Sequence, residues 1–438
     1  MTEILDTGDG RGKLGPFLAA MLVATGMIGS GVYLLPTSLA AFGSVSILGW
    51  IGAIVGATLL AGVFSGLAAV EPGGHGMFDH IGRAFGPGVG FVVGLLYWIP
   101  VSNLPLALAV TGYLSVFFPQ LASGAGSTVA TVVVLWLAIG VNIVSPRFVA
   151  RLGGWTLLIG IAPILLIAIG GWAAFHPAIF ASSWNVSGHS ALTAVPRTVT
   201  LIFWAFIGIE NALIVAPLIR DPARNVALAT FGGLALASVL YLAACGAIMG
   251  MIPAADLARS SAPFADAGRV LLGATMAGAV ALCAMLKAGG TLAGTVLITV
   301  ETAESEAVLG QVLPRRQPRR ADRPPKLNLI LLGVLLSVLT GASTSPTLGR
   351  QFAVWADISV VLNLLTYLAA CLALLRFCAW GARPGRRRLA AVAAAGALFC
   401  CAAIAVSEAD LLAWTLGAIA VAVLVWVAVR MRARSAAI

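Results

Sequence analysis

The stretch LVATGMIGSGVYLLP, residues 22–36, decides the fold because a Gly-Ser-Gly sequence at positions 29–31 interrupts an otherwise apolar run. No Asp, Glu, Lys, Arg or His occurs between Lys13 and Glu71. That run is long enough for two membrane crossings, each of which needs ~20 residues. In hydrocarbon, a helix breaks only where the freed backbone groups line a cavity or a substrate site. The interruption therefore predicts a membrane protein with a binding site inside the membrane.

The composition excludes a soluble protein and gives no indication of a nucleic-acid, metal or cofactor partner. The chain has 438 residues, of which 60% are hydrophobic and 10% are charged, as is typical of an all-α polytopic membrane protein in a lipid bilayer. Its net charge of +10 does not indicate a nucleic-acid partner, because the basic residues mostly flank the apolar segments. The six cysteines lie in or beside apolar segments without metal-ligand spacing. We expect neither a metal nor a cofactor.

The apolar segments between charge clusters predict about twelve membrane spans. The chain divides into a cytoplasmic tail (1–13), a core of ten spans (14–378), two further spans (379–430) and a second cytoplasmic tail (431–438). In the polar stretch 301–326, the acidic start predicts a short amphipathic helix at the inner face, whereas residues 314–326 better fit a basic loop attracted to anionic lipid. The predicted spans are 14–40, 44–70, 87–118, 126–145, 152–175, 194–219, 226–252, 273–300, 327–346, 351–378, 389–406 and 409–430.

The Lys and Arg residues predict the orientation of these spans. With both termini inside, all but five of the 26 Lys and Arg residues lie on the inner side. The exceptions are Arg197, Arg259, Arg269 and Arg350 outside, and Lys287 within a span. An inner excess of this size is what the positive-inside rule requires. We therefore expect twelve spans with cytoplasmic termini.

The sixth predicted span is also interrupted. It reads LIFWAFIGIENALIVAP (201–217), with Gly208 close to Glu210. Broken spans at matching positions in two halves of a chain are typical of inverted-repeat transporters. The free N–H groups at a half-helix N-terminus attract a carboxylate, and the carbonyls freed at the other break accept from an ammonium. An α-amino acid head group offers both charges.

Several motifs resemble the amino acid–polyamine–organocation superfamily, most closely its bacterial arginine/agmatine antiporters and their polyamine-exchanging relatives. The resemblance covers about residues 13–380. It implies a five-plus-five inverted repeat with discontinuous helices 1 and 6, and two further helices. It also implies a bacterial inner-membrane protein, a homodimer, and exchange of an amino acid for its decarboxylated amine. The motifs are GMIGSGVYLLP (26–36), EPGGHG (71–76), FWAFIGIEN (203–211), RDPARNVALAT (220–230) and AIMGMIP (247–253).

The resemblance also implies roles for individual residues. Ser30 and Gly31, next to Gly29, match positions that hold the substrate carboxylate. Ile207 matches the backbone that takes the α-amino group, and Trp204 matches an aromatic gate. The other matches are Asn103 lining the pocket, Ser359 in the tenth span, and three gate residues: Tyr97 (pH-sensing), Glu210 (proton-sensing) and Tyr367.

The eighth span departs from the family pattern. The arginine/agmatine antiporters carry a tryptophan there that stacks on the guanidinium, and the matching position in this chain is Thr295. A desolvated cation–π contact contributes about 2 kcal/mol or more, so its loss weakens the case for arginine. Basic or polar amino acids remain compatible with the sequence.

Three ionisable residues fall inside predicted spans: Glu210, Lys287 and Asp357. A charge at the bilayer centre costs ~2.5–3.5 kcal/mol, so each is a functional candidate. Glu210 either binds and releases a proton or accepts hydrogen bonds from the broken backbone. Asp357 pairs with a cationic substrate, neutralises Lys287 or lies at the outer mouth.

Lys287 has its own alternatives. It shares a helix face with Thr291 and Thr295, because these residues are spaced by four. The resemblance places it near the position where sodium-coupled transporters of this fold hold an ion between the first and eighth spans. Its ammonium then replaces the sodium ion and carries a proton. The alternative is a lysine that extends to the membrane interface or pairs with a carboxylate.

Two transport modes fit these features. The first is an antiporter that exchanges a basic or polar amino acid for an amine, and the second is a proton-coupled amino acid symporter that uses Lys287. An enzyme would need clustered His, Asp or Glu, or a Ser/His/Asp set, near one face, and no such cluster occurs in the sequence. We therefore predict a transporter.

Overall fold

The computed structural model of the chain is a helical membrane protein. Within the described residues it forms nineteen α-helices and no strand. The structure describes residues 15–29, 31–70, 76–98, 102–214, 216, 219–304, 326–343, 347–380, 385–407 and 409–435. The helices are α1 (Pro16–Met27), α2 (Gly31–Ala40), α3 (Ser46–Val70), α4 (Met77–Phe85), α5 (Pro87–Trp98), α6 (Asn103–Leu114), α7 (Gly124–Val144), α8 (Pro146–Gly170), α9 (Pro177–Ser182), α10 (Ala191–Phe203), α11 (Asn211–Ile214), α12 (Pro222–Met251), α13 (Ala254–Leu257), α14 (Pro263–Leu272), α15 (Ala274–Glu304), α16 (Lys326–Ala342), α17 (Leu348–Trp380), α18 (Arg386–Ala405) and α19 (Ala409–Ser435).

The described helices include enough long apolar segments for a polytopic membrane protein. Eight are long and apolar enough to cross a membrane, and the bent pair α1 and α2 is a ninth candidate. Shorter apolar helices occupy the predicted third, fifth and ninth spans. Each of the twelve predicted ranges overlaps at least one helix. The polytopic all-α prediction is confirmed, whereas most of the predicted inner loop, residues 305–325, lies outside the described residues.

Both predicted interruptions are present in the structure. In the first span, α1 ends at Met27, α2 starts at Gly31, and their axes differ by 44°. In the sixth span, α10 continues into a 3₁₀-helix over Trp204–Phe206, and the chain is then extended at Ile207. Gly208 follows with φ of +110°, a conformation that favours glycine, and α11 starts at Asn211.

The packing partners of the broken spans follow the repeat. Helix α1, in the first span, packs extensively on α12, the seventh span. Helix α10, in the sixth span, packs on α3, the second span. Exchanging the two halves converts one pair into the other, as expected for an inverted repeat.

The burial of the helices separates a core from a periphery. The most apolar segments of α12 and α17 are 72% buried, whereas that of α19 is only 11% buried. Exposed Leu and Val residues on α19 are suited to lipid contact, because bilayer hydrocarbon is itself apolar. Helices α12 and α17 therefore belong to the core, and α19 lies at the periphery.

Candidate functional site

The two broken spans cross at a pair of glycines. A Cβ added to Gly208 would lie 2.9 Å from the carbonyl carbon of Gly26, which is closer than real Cβ atoms approach backbone. A Cβ added to Gly26 would collide with the amide nitrogen of Asn211. Only glycine permits this approach, so the crossing brings the two breaks into one place.

The crossing presents helix ends of opposite polarity. The N-terminus of α2 begins at Gly31, where the first N–H groups of a helix have no intrahelical acceptor. On the sixth span, no hydrogen bond to the extended Ile207 carbonyl is found among the described residues. Gly29 is buried beside the first break, and Ser30 lies outside the described residues. The site thus offers donors from one span and an acceptor from the other.

Trp204 lies against this site on the α2 side. A Cβ added to Gly31 would lie 2.6 Å from the Trp204 indole nitrogen, so the indole fits against the bare backbone of α2. Phe352 of α17 meets the Trp204 ring edge-on, with centroids 6.4 Å apart. The Trp204 indole nitrogen is buried and has no hydrogen-bond partner in the described part of the chain. It is thus available to an acceptor that enters the site.

Glu210 is the centre of a buried hydrogen-bond network. The Tyr97 hydroxyl donates to its Oε1 at 2.5 Å, and the Tyr367 hydroxyl donates to its Oε2 at 2.7 Å. The backbone N–H of Gly208 donates to Oε2 at 3.0 Å. Glu210 is fully buried, so this network joins the third, sixth and tenth spans across the break. The three predicted gate residues therefore lie in direct contact.

Aromatic rings surround the two tyrosines. Phe78 of α4 packs on Tyr97 with ring centroids 5.2 Å apart. Phe64 and Phe203 pack on Tyr367 at 5.2 and 6.3 Å. These rings keep water from the carboxylate, and hydrogen bonds strengthen in such low-dielectric surroundings.

The eighth span places a buried polar face beside the first break. A Cβ added to Gly29 would lie 3.6 Å from the methyl carbon of Thr291. The Thr291 hydroxyl is buried and has no partner among the described residues. The Thr295 hydroxyl instead donates to the Thr291 carbonyl at 2.8 Å, within its own helix.

Lys287 lies one helical turn from Thr291 and is 3% exposed. Its aliphatic carbons contact Gly160 of α8, where an added Cβ would lie 2.8 Å from Lys287 Cδ. The Tyr33 hydroxyl donates to the Gly160 carbonyl. No hydrogen bond or ion pair of the Lys287 amine is found among the described residues, and Asp357 does not pair with it.

Asn103 and Ser359 are held by contacts away from the breaks. The Asn103 amide donates to Thr299 of α15 at 3.4 Å. The Ser359 hydroxyl donates to the Trp355 carbonyl at 2.8 Å, within α17, and Ser359 is 1% exposed. Their predicted contact with substrate stays a prediction.

Asp357 lines a separate cavity of about 680 Å³. Arg197 and Arg350 line the same cavity, together with residues of α2 and α19 and the two residues that follow α18, Val406 and Ser407. Asp357 is half-buried, and both arginines are exposed. The sequence placed all three residues in or beside spans but did not indicate that they share one cavity.

Two further residues at the site were missed by the sequence reasoning. Asn211 contacts the first span at Gly26, and its position directly after Glu210 at a break was an available signal. Phe352 contacts Trp204 from α17. No local pattern marks Phe352, because an apolar residue in an apolar helix is indistinguishable from core.

Broken spans that cross at glycines, with buried polar groups around the crossing, define a multi-pass membrane transporter rather than an enzyme. The chain belongs to the amino acid permease family, whose family model matches residues 14–429. It is similar to the cadaverine/lysine antiporter of Escherichia coli (strain K12), with 31% identity over 374 residues that cover 83% of this chain and 84% of that protein. It is also similar to the putrescine transporter PotE of Haemophilus influenzae (strain ATCC 51907), with 29% identity over 364 residues, 83% of this chain and 84% of the relative.

Proposed function

We propose that this protein is an antiporter that exchanges a basic amino acid for its decarboxylated amine. The observation that carries the proposal is the crossing of the two breaks, where the N-terminus of α2 and the Ile207 carbonyl face one site. The helix N-terminus fits a carboxylate, and the carbonyl fits an ammonium. An amine that lacks the carboxylate keeps the second contact and loses the first.

The first substrate pair to test is free lysine and cadaverine, because a relative with 31% identity is named for that pair. Arginine and agmatine come second, since Thr295 provides no aromatic face for a guanidinium. Putrescine comes third, on the name of the other relatives.

We assign the gate to Glu210, Tyr97 and Tyr367. Their hydrogen bonds join three spans at the residues that follow the sixth-span break, and they must break before these spans separate. A substrate cation or a proton that reaches the Glu210 carboxylate competes with the tyrosine hydroxyls for it. The gate then opens in response to the ligand or to protonation.

A second candidate function, proton-coupled amino acid uptake, is favoured by the buried Lys287, whose amine has no hydrogen bond or ion pair among the described residues. An amine that is buried without a counter-charge is stable when it is neutral, so it can gain a proton when water or a substrate carboxylate reaches it. This function ranks second because the relative with 31% identity is named an antiporter.

A counterflow assay in proteoliposomes tests the proposal. Vesicles are loaded with unlabelled lysine, cadaverine, arginine, agmatine, putrescine or a neutral amino acid, and entry of labelled substrate is followed with and without a pH gradient. We expect uptake only into loaded vesicles, fastest for the lysine and cadaverine pair. Uptake into empty vesicles that depends on an inward proton gradient would overturn antiport and favour the symporter.

The remaining assignments follow from the same proposal. We propose that the protein lies in a bacterial inner membrane with both termini in the cytoplasm, and that it forms a homodimer. Tags accessible to antibody only after permeabilisation would support the orientation. Cross-linking of the protein in its membrane tests the dimer.

A further inference from the structure

The cavity that Asp357 lines contains charges of both signs. Among its described lining residues, the charged side chains are Arg197, Arg350 and Asp357. Helix α17 rises about 10 Å between Arg350 and Asp357, at ~1.5 Å per residue. The exposed Arg350 and the half-buried Asp357 therefore lie at different heights along α17, and the second exposed arginine, Arg197, comes from α10.

The neutral walls of the cavity are held by hydrogen bonds to backbone. The Thr37 hydroxyl donates to the Ser260 carbonyl at 3.0 Å, and the Ser38 hydroxyl donates to the Gly349 carbonyl at 3.1 Å. The Thr200 hydroxyl donates to the Ala403 carbonyl at 3.3 Å. These bonds use three of the hydroxyl protons in the lining, so its charge, two arginines against one carboxylate, is the main feature that distinguishes one ligand from another.

The cavity adjoins the transport site without being part of it. Leu201 and Ala353 line it, and they lie next to the Trp204 and Phe352 rings in their helices. The Trp204 ring covers α2 at Gly31, beside the crossing of the breaks, and Phe352 packs on Trp204. A ligand in the cavity is therefore close to the broken spans but separated from their crossing by the aromatic pair.

We propose that this cavity is an outer capture site for the amino acid partner of the exchange and disfavours the amine. The inference rests on the proposed antiport and on the proposed orientation, in which Arg197 and Arg350 face outward. A carboxylate suits the arginines, and an ammonium suits Asp357. Free lysine has both groups, whereas cadaverine carries two positive charges and no carboxylate, so the arginines repel it.

The physical consequence is kinetic. A site that favours one ligand on one side of the membrane cannot change the equilibrium of the exchange, because an equilibrium depends only on its end states. It lowers the external concentration of amino acid that half-saturates transport, and it speeds departure of the amine. Exchange therefore runs faster with amino acid outside and amine inside than in the opposite arrangement.

The first experiment measures uptake by right-side-out vesicles loaded with unlabelled free lysine. In the double variant Arg197→Gln/Arg350→Gln, we expect the half-saturating external concentration of lysine to rise about tenfold, the loss of a charge-assisted hydrogen bond. The value for cadaverine should stay constant or fall. The control is Arg269→Gln, an outer arginine by the same topology that lies 3.7 Å from Asp266 and does not line the cavity. Equal changes for both substrates, or no change for lysine, would overturn the inference.

A second readout separates this inference from the proposed function. Trp414 lines the cavity, so the difference in fluorescence between the protein and its Trp414→Phe variant reports on ligand there. We expect free lysine to change this signal at lower concentration than cadaverine, and the double arginine variant to lose that preference. Selective binding without exchange would reject antiport and retain the cavity. Exchange without selective binding would retain antiport and reject the capture site.

Discussion

Two ionisable side chains lie buried near the crossing, and their surroundings are opposite. Glu210 accepts hydrogen bonds from two tyrosines and one backbone N–H. Lys287 is 3% exposed and has no hydrogen bond or ion pair among the described residues. The membrane makes either kind of charge costly, so the difference between them needs a functional reason.

The comparison indicates that Glu210 is hydrogen-bonded in this conformation, whereas Lys287 acquires a binding partner only in another conformation of the transport cycle. Three donors stabilise the Glu210 carboxylate in this conformation, and that network joins three spans. Lys287 touches Gly160 through its aliphatic carbons, which stabilises the neutral amine but leaves its nitrogen unused. In another step of the transport cycle, the Lys287 nitrogen binds a proton or a substrate carboxylate. Mutations at the two positions should therefore change stability with opposite sign.

The largest effect is expected at Glu210. Glu210→Ala removes the acceptor for two buried tyrosine hydroxyls and one N–H, and each unsatisfied group costs about 1–3 kcal/mol. We expect exchange to fall at least 100-fold and the melting temperature of the detergent-purified protein to drop. Glu210→Gln is the matched control, because its amide oxygen still accepts, and it should be affected less. Equal losses of exchange and of melting temperature in the Ala and Gln variants would show that the hydrogen bonds to Glu210 do not determine these losses.

The next effect is expected at Lys287. Lys287→Met replaces an amine that has no partner among the described residues by an apolar chain of similar length, which removes the cost of burying that polar group, about 1–3 kcal/mol. We expect a higher melting temperature together with exchange at least tenfold slower and no longer dependent on pH. Lys287→Arg keeps a permanent charge in the same place and should lower both stability and exchange. Wild-type flux and pH dependence in the Met variant would contradict a role in coupling.

A third charged residue, Asp357, is predicted to bind cationic substrates. It is half-buried and lines the cavity with two arginines, so it does not neutralise Lys287 in this conformation. We expect Asp357→Asn to raise the half-saturating concentration of cationic substrates about tenfold, the loss of one charge-assisted hydrogen bond. Neutral amino acids should be unaffected. An equal loss for neutral and cationic substrates would show that Asp357 supports the structure instead.

The sequence predicted the site's backbone better than its side-chain contacts. The breaks at residues 29–31 and at Gly208 were visible because glycine and polar residues are rare signals within apolar spans. The resemblance placed Tyr97, Glu210 and Tyr367 at a gate, but contacts 113 and 157 residues apart cannot be read from local pattern. The sequence also could not predict whether Lys287 pairs with another residue, because pairing between helices depends on how the helices pack.

The smallest effect, and the sharpest test of the Glu210 network, comes from the two tyrosines. Tyr97→Phe and Tyr367→Phe each remove one hydroxyl donor from the carboxylate, about 0.5–1.5 kcal/mol, or up to roughly tenfold in exchange rate. Each change combined with Glu210→Gln forms a double-mutant cycle, which isolates the energy of the pair. We expect coupling in both cycles. Tyr113→Phe is the control, because its hydroxyl donates to the Tyr33 carbonyl at 2.9 Å and not to Glu210, so it should show no coupling with Glu210. Coupling of equal size for Tyr113 would mean that the network extends through the protein, and Glu210 would then not be a local lock that a ligand opens.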